Sequence, residues 1–192
     1  GKIHHSVCPC CYNSIPFEDL CAAARDMGIQ SVELQGPKEW PTLKKYGLTC
    51  AMANGAGMGI ERGFNRREHH ERLIADYERV IPLVAEAGLT NLICFSGNRG
   101  GQDDADGIEI CAQGLKKLMA TAEKHNVLVV MELLNSKVDH KDYQCDHTEW
   151  GVELCKAVGS DHFKLLYDIY HMQIMEGDVI RTIRQHHPYI AH

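Results

Sequence analysis

The stretch KLLYDIYHMQIMEGD, residues 164–178, decides how this chain folds. Leu165, Leu166 and Tyr167 form an apolar run suited to a buried strand. The run ends on a carboxylate, Asp168, and an imidazole, His171, follows three places later. In parallel α/β folds, functional polar groups gather at the carboxyl ends of strands. The same pattern stands upstream in VLVVMELLNSK, residues 127–137, where Glu132 comes late in an apolar run and Asn135 just past it. Working outward, short apolar runs at 3–7, 31–34, 49–53, 91–95, 127–133, 163–167 and 189–191 predict seven strands. Helical spacing predicts helices over 16–27, 38–45, 66–87, 105–125, 148–158 and 179–185. Gly28, Gly88 and Gly159 stand as helix stops, Pro82 as a kink, and Asp178 as the N-cap of the last helix.

This is a βα unit repeated six times, followed by the start of a seventh strand. Strands of near-continuous apolar character suit a parallel sheet covered on both faces. Two architectures fit, an open doubly wound sheet and a (β/α)₈ barrel. Doubly wound nucleotide folds carry a glycine-rich turn after the first strand. Here that turn is CPCCYNSIP, residues 8–16, without a glycine. The glycine cluster NGAGMGIERG, residues 54–63, follows the third strand, and Ile60 stands where GxGxxG needs its last glycine; it reads as a mobile loop beside the site. The barrel is favoured, as one α/β domain over residues 1–192. A complete barrel takes roughly 250 residues, so the sequence is expected to stop soon after strand seven begins.

Composition narrows the function. The net charge is -6, with 24% charged and 44% hydrophobic residues. That is ordinary globular composition and gives no broad grip on nucleic acid. No apolar run approaches the ~20 residues of a membrane span. Nine cysteines in a chain this long read as reduced thiols, which favours the cytoplasm. Gly1 and Lys2 lead almost directly into the first strand, so export after removal of a leader is also compatible. Cys8, Cys10 and Cys11 lack CxxC spacing and a distant second pair, so packed or half-exposed thiols are expected there in preference to zinc.

Strand ends also carry Glu33, the group Ser96, Asn98 and Arg99, and finally His192. Buried carboxylates are costly unless paired or bound to a cation. Glu132 and Asp168, from adjacent strands, would both be relieved by one shared Mg²⁺ or Mn²⁺ ion. The competing reading has each carboxylate capping a loop or pairing with Arg99 or Lys137. His69 and His70 are expected to face solvent, and His186 and His187 to lie in a loop before Pro188. His140, Cys145 and His147 share what reads as a polar surface loop. No GxSxG motif or nucleophilic triad is present.

The segments MELLNSK (131–137), YDIYHMQIMEGD (167–178) and PYIAH (188–192) resemble hydroxypyruvate isomerase and its relatives, a branch of the xylose isomerase-like TIM barrels. GIQSVELQGP (28–37), ICFSGNR (93–99) and GLKKLMATAEKH (114–125) extend the resemblance along essentially the whole chain. It implies a metal-dependent isomerase or epimerase of a small hydroxy-carbonyl or sugar-like substrate such as hydroxypyruvate, working through a metal-stabilised enediolate. Glu132 would be both metal ligand and acid/base, Asp168 a ligand, and His171 a catalytic group on substrate oxygen. Asn135 and Ser96 are candidate substrate contacts. A seventh-strand ligand two residues beyond the position of His192, a substrate-gripping arginine and an eighth-strand Glu are expected past the sequence. The 192 residues alone are therefore expected to bind a divalent ion weakly, to show no turnover, and to associate with themselves. Two other classes are compatible with the barrel. One is an abasic-site endonuclease with several zinc ions, which needs extra histidines where Asn54 and Ser96–Gly97 stand. The other is a sugar-binding relative without catalysis.

Overall fold

A computed structural model describes residues 3–192. Five strands, β1 (Ser6–Val7), β2 (Ser31–Val32), β3 (Asn91–Cys94), β4 (Leu128–Glu132) and β5 (Phe163–Leu166), alternate with helices. The helices are α1 (Phe17–Asp26), α2 (Trp40–Lys45), α3 (Arg67–Glu86), α4 (Asp104–His125), α5 (Thr148–Val158), α6 (Ile169–Met175) and α7 (Val179–His186). All pairing between strands is parallel: β1 with β2, and β3 with β4 and β4 with β5. Bridges Ser31–Thr49 and Ala53–Leu92 set the 49–53 segment between β2 and β3. The bridge Leu165–Ile190 sets the 189–191 segment beside β5.

The spatial order therefore repeats the chain order. A doubly wound sheet reverses direction at a switch point; this one does not, and its winding is that of a barrel. The 49–53 segment is thinner than the expected strand for a local reason. The amides of Ala51 and Met52 donate to side chains, Ser31 Oγ at 2.8 Å and Glu33 Oε2 at 2.6 Å, and so do not continue the ladder. Glu33 is buried by this role, and also accepts from Ser31 Oγ at 2.8 Å.

Side chains alternate across each strand. Leu92, Cys94, Val129, Met131 and Leu165 face outward into the main core, against Val80, Val84, Leu115, Leu118 and Leu154 of the helices. Met52, Ile93 and Val130 face inward and form a second cluster with Leu34, Phe95, Leu128, Leu166 and Ala191. This inner layer is the floor beneath the polar residues. No described helix is long and apolar enough to cross a membrane.

Several expectations need correction. Helix α6 was not expected at all. Asp178 precedes α7, but in the left-handed region (φ 41°) and with no side-chain cap hydrogen bond. His70 is buried, its Nε2 within 2.8 Å of the Phe64 carbonyl, because it fills the space left by Gly114 on α4. His186 is the buried last residue of α7, 3.1 Å from Glu149 Oε1. Cys145 is buried with Tyr143, Gln144 and Asp146, so only part of its segment, His147 included, lies at the surface.

Candidate metal centre and substrate site

Strand periodicity builds the site. Leu128, Val130 and Glu132 occupy one face of β4, so Glu132 is the next inward position above the floor. Lys164, Leu166 and Asp168 follow the same alternation along β5 and one step past it. Glu132 is in register with Leu166, which makes Asp168 its diagonal neighbour. Asp168 then caps α6, its side chain accepting from the amides of Tyr170 at 2.8 Å and His171 at 3.3 Å. A helix places residues three apart on one face, and His171 Nε2 lies 3.9 Å from Asp168 Oδ2. The cap holds one carboxylate oxygen and leaves the other toward the site.

Glu132, Asp168 and His171 each offer a donor atom within 4.8 Å of the other two, the one such group of three among the described residues. Among the described residues no lysine or arginine pairs with the two carboxylates. Arg99 pairs with Asp104 and approaches Asp146 at 3.8 Å. Lys137 donates to the carbonyls of Ile174 (3.1 Å) and Met175 (2.9 Å) at the end of α6. Asp168 does cap a helix, so that part of the competing reading holds, and it holds together with the clustering. Burial first, and the Asp168 charge second, push the Glu132 carboxyl up to about 8. Burial pulls His171 below its ordinary value, against the opposing pull of Asp168.

The buried Asn135 decides the state of His171. Its Oδ1 accepts from the amides of Val138 and Asp139, both at 3.0 Å, which fixes the orientation of the amide. Its Nδ2 must then donate, to Asp139 Oδ2 and to His171 Nδ1, each at 2.7 Å. All of its hydrogen-bonding groups are therefore engaged within the protein. Asn135 orients His171; the direct substrate contact expected of it is not what the structure places there. Ser96 departs in the same way. It is fully buried, donating to the Gly97 carbonyl (3.1 Å) and accepting from the Cys145 amide (3.0 Å).

Asp139, Tyr170 and Tyr143 escaped sequence reading, and His140 was read only as part of a polar surface loop. Asp139 accepts from Tyr170 Oη at 2.8 Å as well as from Asn135, and those two hydrogen bonds hold its carboxyl below the usual range. Tyr170 and His140 flank His171 edge-on, with ring centroids 5.0 and 5.3 Å away. Tyr143, fully buried, donates to the Glu132 carbonyl at 2.9 Å and accepts from the Ser96 amide at 3.1 Å, tying the ends of β3 and β4 together. The spacing of Asn135 and Asp139 within one loop was the available signal, that of an asparagine closing a local turn.

The model of the xylose isomerase-like TIM barrel family matches residues 21–192. The chain is 29% identical to a 2-oxo-tetronate isomerase of Cupriavidus necator over 94% of its own length and 74% of that protein's. It is 30% identical to a D-psicose 3-epimerase of Enterocloster bolteae, over 88% of its own length and 56% of the epimerase. A crystal structure described as an AP endonuclease, family 2, from Brucella melitensis superposes with a TM-score of 0.87 at 22% identity, covering 99% of this chain and 78% of the other. A parallel sheet wound in chain order, an acidic pair raised above its inner floor, and a family match running to residue 192 lead to one assignment: the chain belongs to the xylose isomerase-like TIM barrel family.

Proposed function

We propose that this chain serves an isomerase or epimerase acting on a small hydroxy-carbonyl compound, a keto acid or ketose, with Glu132 as its proton carrier. The observation that carries the reading is the convergence of Glu132, Asp168 and His171 at the carboxyl ends of adjacent strands, with no lysine or arginine paired to them among the described residues. Relatives named as a 2-oxo-tetronate isomerase and a D-psicose 3-epimerase support the reaction class. Hydroxypyruvate and 2-oxo-tetronate are the first substrates to try.

The donor set fits a hard divalent cation, since two carboxylates otherwise repel each other in a partly dry site. Glu132 and Asp168 would hold Mg²⁺ or Mn²⁺, which supplies positive charge beside the substrate carbonyl oxygen. His171 is set apart from the ligands by its tautomer. Its Nδ1 accepts from Asn135, so in the neutral ring the hydrogen sits on Nε2, which faces Asp168. Nε2–H then donates to substrate oxygen and polarises the carbonyl. Glu132 removes the proton from the carbon beside the carbonyl, and a second carboxylate on the other side returns it.

The test is proton exchange. The full gene product is incubated in D₂O with Mn²⁺ and a panel of keto acids and ketoses, and deuterium beside the carbonyl is followed by NMR. Exchange on at least one substrate, lost in Glu132→Gln at saturating Mn²⁺, is expected. Binding of the panel without any exchange in the unaltered protein would favour the sugar-binding, non-catalytic reading instead.

A further inference from the structure

Outside this site, the thiols after β1 form a second chemical group. Cys8, Cys10 and Cys11 are the only cysteines not buried; the other six lie in the core. Among those six, burial pushes Cys50 and Cys155 up to about 12, which leaves them unreactive. Cys8 Sγ and Cys10 Sγ are 3.1 Å apart, and Cys10 Sγ and Cys11 Sγ 3.9 Å. The backbone builds this contact. Cys8 is extended (φ -97°, ψ 123°) and precedes a 3₁₀ turn, Pro9–Tyr12, closed by the Cys11 amide on the Cys8 carbonyl at 3.3 Å. Pro9 has its φ fixed by its ring, so the two thiols that flank it are presented to one side in advance.

Two chemistries suit neighbouring thiols, a soft metal ion and a disulfide. The metal needs three or four donors around one centre. These three cysteines do not meet that condition, because the only described group of three mutually close donors is Glu132, Asp168 and His171. The contact is pairwise, and a disulfide needs only a pair. We propose that Cys8 and Cys10 are a reversible dithiol/disulfide modification site at the carboxyl end of β1, the end of the sheet that also carries Glu132 and Asp168. The oxidant is a disulfide of the glutathione class. One cysteine, as thiolate, attacks a sulfur of oxidised glutathione and expels one glutathione thiolate. The second cysteine then attacks the protein sulfur of that mixed disulfide and expels the other. One sulfur–sulfur bond forms within the protein, one is broken in the oxidant, and the two thiol protons pass to two glutathiones.

The experiment needs no substrate. The chain is reduced, freed of reductant, exposed to oxidised glutathione at mildly alkaline pH, blocked with N-ethylmaleimide and weighed intact. The expected product has lost two hydrogens, takes up two fewer maleimides than the reduced protein, and returns to the reduced mass with dithiothreitol. Cys8→Ser and Cys10→Ser should each abolish that product and stop at a glutathione adduct, whereas Cys11→Ser should retain it. Loss of the product in Cys11→Ser alone, stable glutathione adducts on the unaltered protein, or a dimer linked between chains would each overturn the assignment. Circular dichroism of each variant separates a failure to fold from a failure to pair.

Discussion

Asn135 shows how one side chain sets the chemistry of another. By giving its hydrogen to His171 Nδ1, it fixes which ring nitrogen faces the site. Asn135→Ala is expected to lower turnover ~10–100-fold, as loss of an orienting partner does, while leaving Mn²⁺ affinity nearly unchanged. A drop in Mn²⁺ affinity as large as that of Asp168→Asn, measured by calorimetry, would make His171 a ligand and not a donor. Glu132 carries a pH signature. Its carboxyl titrates near 8 in the folded chain against an ordinary 4.5. Between those values the folded state holds a proton that the unfolded state has lost, so stability falls as pH rises across the window. Urea unfolding in EDTA from pH 5 to 8 should show a decline on the order of a few kcal/mol, and Glu132→Gln should flatten it. That Glu132, Asp168 and His171 converge was legible in the sequence because a charge at the end of an apolar strand is conspicuous. The internal partners of Ser96 and Asn135 were not legible, because a polar residue at a strand end looks the same whether it faces a ligand or the fold.

Helix α6 was the element least visible beforehand. Its seven residues, IYHMQIM, are rich in β-branched and aromatic side chains at its start, which favour strand. The Asp168 cap and burial of Met172 and Met175 outweigh that preference. Asp168 thus has two duties that substitution can separate. Asn also caps well, so Asp168→Asn should weaken Mn²⁺ binding with little loss of stability. Asp168→Ala should lose the cap as well, about 1 kcal/mol. Equal stability of the two variants in thermal unfolding would count against the cap. On α4, helix propensity alone says that Gly114→Ala should stabilise by about 1 kcal/mol. The structure reverses the sign. A Cβ there would stand 2.8 Å from Nε2 of His70, which the Phe64 carbonyl holds in place. A loss of about 1–3 kcal/mol is expected, as in other overpacked cores, read from denaturant midpoints.

At the scale of the molecule, the sheet has two one-sided strands among the described residues. Segment 1–2 aside, β1 pairs only with β2, and the 189–191 segment only with β5. Unpaired parallel edges invite association. The 192-residue chain studied by itself is expected to sediment as oligomers; a monodisperse monomer would show that these edges are covered in another way. The barrel winding was legible from six repeated βα units and from the absence of glycine after the first strand. The weakness of the 49–53 segment was not, because it depends on Ser31 and Glu33 reaching across to take its amides.

Winding in chain order also bears on how the site comes into being. Each strand pairs with one already synthesised, across a helical crossover and not a short turn. Glu132 precedes Asp168 in the chain by one whole βα unit. Its carboxylate gains a like-charged neighbour only when β5 joins, and His171 follows within the first turn of α6. The acidic pair is thus complete only once β5 and α6 are in place, and a chain cut after β4 would carry Glu132 without Asp168 or His171.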